Sequence, residues 1–146
     1  MILLGGPVWA VLMAASAALK LWLEGWATVD KIVLVAAVYA SGALLAFPFG
    51  LFLAEFFSRG RRDAGFAAAF LGHSVTTIAA TAFLFAMHYR LYFAQWHEPV
   101  YTLTGTFQFV FTSAGAVYQF LVLGIRLYFP LGFIALFAVS LWHARR

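Results

Sequence analysis

Apolar residues fall along this chain in runs longer than a soluble core requires, and short polar clusters separate them. The first run, Pro7 to Leu23, ends near Lys20 and Glu24, with Trp22 and Trp26 at its polar edge. Hydrocarbon about 30 Å thick takes roughly 20 apolar helical residues to cross, and Trp belongs at its boundary with water. Pro7 suits a first helical position, where its missing amide would have no partner. After the short connection EGWATVDK a second span, Ile32–Phe57, is expected, with Thr28 as N-cap and Asp30 in the first turn. Pro48 predicts a kink in that span, and Ala36, Ala40 and Ala43 form a small-residue edge that lets a neighbouring helix approach. Glu55 and Arg59, four residues apart, read as an ion pair at the inner membrane edge.

The basic loop SRGRRD, Ser58 to Asp63, opens the third run, AGFAAAFLGHSVTTIAATAFLFAM, which ends at Met87. Gly65, Ala69, Gly72 and Thr76 make a second small edge, and His73, Thr77 and Thr81 line up on one helical face. From Tyr89 to Thr112 the chain is aromatic and mixed, as expected of a segment at the outer interface. Within it Val100–Thr112 alternates like a strand, with Thr102, Thr104, Thr106 and Gln108 against aromatic and aliphatic residues. A lone strand would leave its backbone unsatisfied in hydrocarbon, so a helix is the better expectation.

The remaining residues divide in two ways. One has a single further span near Gly124–Trp142, preceded by an apolar segment on the outer half; the other has two spans, Leu103–Leu123 and Leu127–Trp142. Cytoplasmic loops carry the excess of Lys and Arg. Arg59, Arg61 and Arg62 therefore mark the inner side, as topology signals and lipid-headgroup contacts, and four spans place Arg145 and Arg146 beside them. The expectation is an all-α polytopic transmembrane helical bundle of four spans, with five as the alternative. It forms a single integral membrane domain, 1–146, with both termini cytoplasmic and a bacterial inner membrane as its location.

Composition agrees with this reading. The chain is 65% hydrophobic and 10% charged, with a mean hydropathy of +0.95, whereas an average soluble domain has roughly a quarter charged residues. Lipid must therefore be the solvent for much of the surface. The net charge of +4 flanks apolar runs, so it points to headgroups and not to nucleic acid. The absence of cysteine removes disulfides, iron–sulfur ligation and thiol catalysis. The first residues lack the basic n-region of a signal peptide and read as a retained span.

Few residues can carry chemistry. His73 lies about 15 Å into the third span, counted from Asp63 at 1.5 Å per residue, and an intramembrane ionisable group is a functional candidate. Axial haem ligation by two imidazoles would need a second histidine at that depth, and His88, His97 and His143 belong to the ends. A single imidazole on a chlorin-type pigment, or a second chain's His73, stays open; the plainer alternative is a neutral imidazole bonded to a neighbouring helix. The cofactor is undefined, and no metal or catalytic constellation is expected. Arg126 is placed near the outer boundary, with Glu98 as a partner. No P-loop, dinucleotide glycine pattern or metalloprotease histidine pair occurs. The leading expectation is a non-catalytic subunit or accessory protein packing against itself or other membrane subunits. Its rivals are an oligomeric transporter or channel with a polar path at His73, Thr77 and Thr81, and a haem- or pigment-binding redox subunit; Arg126 completes the candidate binding residues. A cytoplasm-active reporter fused to the C-terminus is expected to be active and a periplasm-active one silent; the reverse would require five spans.

Overall fold

Burial of long apolar stretches in lipid obliges the backbone to satisfy its own hydrogen bonds, and the chain does so with helices. The computed structural model describes residues 2–25, 28–59 and 61–145, with all their side chains except Ile2, Leu3, Arg62 and Asp63. Trp26, Arg146 and the side chain of Arg62 lie outside the described residues. The helices are α1 (Ile2–Glu24), α2 (Val29–Ser58), α3 (Arg62–Phe93), α4 (Leu103–Gln119) and α5 (Leu131–Ala144). A 3-10 turn, Ala94–Trp96, follows α3; a π segment, Phe120–Gly124, and a 3-10 turn, Ile125–Tyr128, join α4 to α5. No strand occurs among the described residues. Four stretches are long and apolar enough to cross a membrane: Leu4–Glu24, Val29–Ser58, Ala64–Trp96 and Leu103–Tyr128. The protein is an all-α integral membrane bundle.

Several local expectations need correction. Helix α1 begins before Pro7, which lies inside it and not at the first helical position. Thr28 holds the N-cap position in extended geometry, but its side chain makes no capping bond. Glu55 and Arg59 do not form a side-chain ion pair among the described residues. Arg59 leaves the helix with φ 44°, and its N–H donates to the Glu55 carbonyl at 3.2 Å, closing α2 with a left-handed residue. Lys20 and Glu24 do pair, at 3.2 Å.

The α2–α3 hairpin is the tightest part of the bundle. Its α2 edge is Gly42, Ala46, Gly50 and Ala54, all buried, in place of Ala36–Ala40–Ala43, of which only Ala43 is buried. Residues four apart stack on one face. On α3 the matching row is Ala69, His73, Thr77 and Thr81, again buried. A Cβ on Gly42 would come within 2.7 Å of Thr81 Cα, and one on Gly72 within 3.0 Å of the Gly50 carbonyl oxygen. Close approach of this kind drives helix association in lipid, where dispersion acts in place of the hydrophobic effect.

Helix α1 lies across this hairpin, with Trp9, Met13 and Ala17 buried. The rest of the chain runs back along α3. Arg90 stacks over Phe109 at 4.0 Å, Phe85 meets Phe120 at 6.0 Å, and the Tyr128 hydroxyl donates to Thr81 Oγ1 at 2.8 Å. Farther on, Phe70 meets Phe133 at 6.3 Å, Phe66 meets Phe137 at 5.2 Å, and Ala144 Cα lies 3.3 Å from a Cβ built on Gly65. Numbers rise along one side while they fall along the other, so α4 and α5 travel in the same direction. Five spans would need a reversal between them. The last crossing is single, interrupted between Phe120 and Pro130, and starts well before Gly124. The start of α3 and the end of α5 share one end of the bundle.

The strand-like alternation after Val100 has a different meaning. Thr102 Oγ1 accepts from the Gly105 amide at 3.0 Å and donates to the Pro99 carbonyl at 2.8 Å; Thr106 Oγ1 donates to the Val100 carbonyl at 2.7 Å. Gln108 Oε1 accepts from the Glu98 amide at 2.9 Å. The alternating polar residues cap α4 and pin the loop onto it. Gly42→Ala is expected to destabilise the protein in detergent by about 1–3 kcal/mol. Gly115→Ala, where no atom lies within 4 Å of the added carbon, should be neutral or stabilising in the same thermal melts.

Candidate functional site

The polar row of α3 faces glycines, so its partners have to come from elsewhere. Thr77 Oγ1 accepts from Trp9 Nε1 on α1 at 3.1 Å, and Thr81 Oγ1 accepts from the Tyr128 hydroxyl of the last crossing at 2.8 Å. The two threonines are 3% and 0% exposed. Both are acceptors in these bonds, and each keeps its own hydroxyl proton. The third member, His73, is 0% exposed, and neither Nδ1 nor Nε2 has a hydrogen-bond partner among the described residues. Its ring lies between Trp9, at 5.4 Å between centroids, and Phe47, at 5.3 Å. Nδ1 points at Gly50, where any Cβ would collide with it. A buried polar group left unpaired costs about 1–3 kcal/mol.

Beside this row, half-way along the bundle, is a cavity of about 460 Å³. Pockets of about 300–1,000 Å³ suit small molecules. Trp9 and Met13 of α1 form one wall, Phe70 to Ile78 of α3 another, and Ile125 to Leu136 of the interrupted crossing a third. The lining is almost entirely apolar; His73, Ser74, Thr77, Arg126 and Tyr128 are its polar members. Ile125, Arg126, Phe129 and Phe133 are exposed, so the rim opens sideways on the bundle's outer surface.

The break in the last crossing makes room for this cavity. An α-helical ladder cannot continue through the π turn at Phe120–Gly124 and the 3-10 turn at Ile125–Tyr128. Side chains take up the backbone groups this leaves: the Tyr39 hydroxyl donates to the Gly124 carbonyl, and Ser16 Oγ accepts from the Gly132 amide at 3.2 Å. Pro130 precedes α5 and needs no amide partner there. Ser16 is 0% exposed, and its role was not legible in the run Ala14-Ala15-Ser16-Ala17, which looks like generic small-residue sequence. Tyr39 and Tyr128 also belong to the site. Their only signal in the sequence is that each places a hydroxyl inside an apolar run.

Of the binding residues expected from sequence, the fold brings His73, Thr77 and Arg126 to one cavity, with Thr81 just beyond it through Tyr128. Arg126 makes no ion pair with Glu98 among the described residues. It lines the cavity, whereas Glu98 lies in the loop before α4. The interrupted crossing places the whole of α4 between them. Arg59, Arg61 and Arg145 lie at the end of the bundle where α2 meets α3 and α5 stops. No group of three or more metal-ligating side chains occurs among the described residues. His88 and His97 are at the far end of α3 and beyond it, and His143 at the end of α5, so none is level with His73.

No protein-family model matches the chain, and no curated protein or solved structure shows significant similarity to it. The two kinds of polar residue in the row should respond oppositely to apolar replacement. Thr81→Val, which strands the Tyr128 hydroxyl, is expected to lower stability in detergent by about 0.5–1.5 kcal/mol. His73→Leu, which removes an unpaired buried group, is expected to hold or raise it, as read by thermal melting.

Proposed function

We propose that this chain is a non-catalytic subunit of a bacterial inner membrane, with its termini in the cytoplasm, that takes a mainly apolar small molecule from the bilayer. The observation that carries the reading is the sideways-opening apolar cavity of about 460 Å³ with the unpartnered, fully buried His73 in its wall. Phe47 and Gly50 close the α2 side of the imidazole and both ring nitrogens are buried, so a bound molecule becomes a partner once the ring turns toward the cavity that it lines. An unpaired buried group at such a position is the usual mark of a site kept for use.

The other two readings have less support. A transport path along His73, Thr77 and Thr81 would require helices to part, because Trp9 and Tyr128 occupy both threonine oxygens. Axial ligation of a haem or pigment needs the same turn of the imidazole and, for a bis-histidine site, a second ring at its level, where none of His88, His97 and His143 stands. The subunit role has its own support in a second, outward groove of about 430 Å³ between the end of α2 and the start of α3, lined by Phe57, Ala64, Ala67, Ala68 and Leu71. Small residues of this kind admit a neighbouring helix in lipid.

Purification in mild detergent followed by solvent extraction and mass spectrometry is expected to find one apolar compound in near-stoichiometric amount. Ser74→Trp, which fills the cavity, should abolish it; recovery of bulk lipid alone from the native protein would overturn the reading. The chain lacks cysteine, so Ala67→Cys is unique, and oxidation in membranes should cross-link it through the α2–α3 groove to a copy or to a second chain carrying a thiol.

A further inference from the structure

Arg126 lines the cavity together with Thr77 and Met13. A cation within an apolar, membrane-spanning bundle is costly and is normally paired. The chain's five acids are Glu24, Asp30, Glu55, Asp63 and Glu98, and each stands at a helix end or in the loop before α4. The Arg126 guanidinium accordingly has no hydrogen-bond or ion-pair partner among the described residues.

We infer that the cavity binds a single-chain amphiphile with an oxyanion head, its chain among the apolar walls and its carboxylate or phosphate on Arg126. This rests on the ligand-holding role proposed above and names the class of ligand. Two independent features meet there: an apolar volume that opens sideways into lipid, and an unneutralised guanidinium on its rim. A guanidinium binds either oxyanion through two parallel N–H donors. Thr77, whose oxygen already accepts from Trp9, keeps a hydroxyl proton to donate on the same wall. A carboxylate on a neighbouring protein helix would neutralise Arg126 as well, but it would leave the adjoining cavity unfilled.

Trp9 is the tryptophan in the cavity wall; Trp22, Trp96 and Trp142 lie toward the ends of the helices. A full-length variant with Trp22, Trp26, Trp96 and Trp142 changed to Phe reports on the cavity alone. In proteoliposomes it is titrated with 9,10-dibromostearate, the corresponding alkyl phosphate, and the methyl ester, whose bromines quench indole fluorescence. Both anions, or one of them if the site selects its head, should quench Trp9 saturably at a concentration at least about tenfold below the ester, as loss of a charged hydrogen bond implies. Arg126→Gln should reduce the anions to the ester's affinity, and Arg126→Lys should recover most of the difference. Equal quenching by acids and ester, unchanged in Arg126→Gln, would overturn the anion site while leaving an apolar cavity in use. No saturable quenching by any probe would overturn both. Loss of a co-purifying membrane protein in Arg126→Gln, with no preference for acid over ester, would assign the guanidinium to a partner's carboxylate and overturn the inference.

Discussion

Helices α2 and α3 approach so closely at Gly42 and Gly50 that a methyl group at either would collide with Thr81 or His73. The rest of the bundle depends on that contact. It presses a row of polar side chains against a backbone with nothing to offer them, and in lipid such groups must be satisfied within the protein. Trp9 on α1 and Tyr128 on the last crossing supply the bonds to Thr77 and Thr81. Polar links thereby tie both α1 and the last crossing to the hairpin. His73 is the member of the row that receives none.

The interruption of the last crossing follows the same logic from the other side. A straight helix along α3 would bring uniform side chains to its whole length and leave no cavity. The π and 3-10 turns instead offset α5 from α4, and Tyr39 and Ser16 bond the backbone groups released. Irregular backbone at this depth is tolerated where it is buried in protein or lines a cavity, and here it does both. The break also decides where Arg126 stands. The residue is carried to the wall of an apolar space, so its charge and that space form one site.

The four candidate binding residues read from the sequence have three different physical roles. Thr77 and Thr81 are structural links whose bonds can be removed only at a loss. His73 contributes aromatic packing between Trp9 and Phe47, and its nitrogens are buried without a partner among the described residues. The guanidinium of Arg126 lines the cavity with no ion-pair partner among the described residues. Groups of the last two kinds persist when a ligand or partner completes them, because an unpaired group gains most from a partner where water is absent.

Membrane insertion, helical class and four crossings were legible in the sequence, because run length and total apolar content follow from the thickness of hydrocarbon and require no knowledge of contacts. The shared face of His73, Thr77 and Thr81 was legible too, since the 3.6-residue repeat fixes it locally. The α2 contact edge was not: small residues occur at Ala36, Ala40 and Ala43 as well as at Gly42, Ala46 and Gly50, and only the crossing of two helices selects between them. Nor was the meaning of the threonines after Val100, whose period of two is produced by capping bonds across a loop. That Arg126 lines the cavity was decided by tertiary structure alone. Its distance from Glu98 along the chain is the same in every arrangement, but its height depends on whether the chain turns back after Gly124 or continues along α3. That choice belongs to packing between residues far apart in sequence.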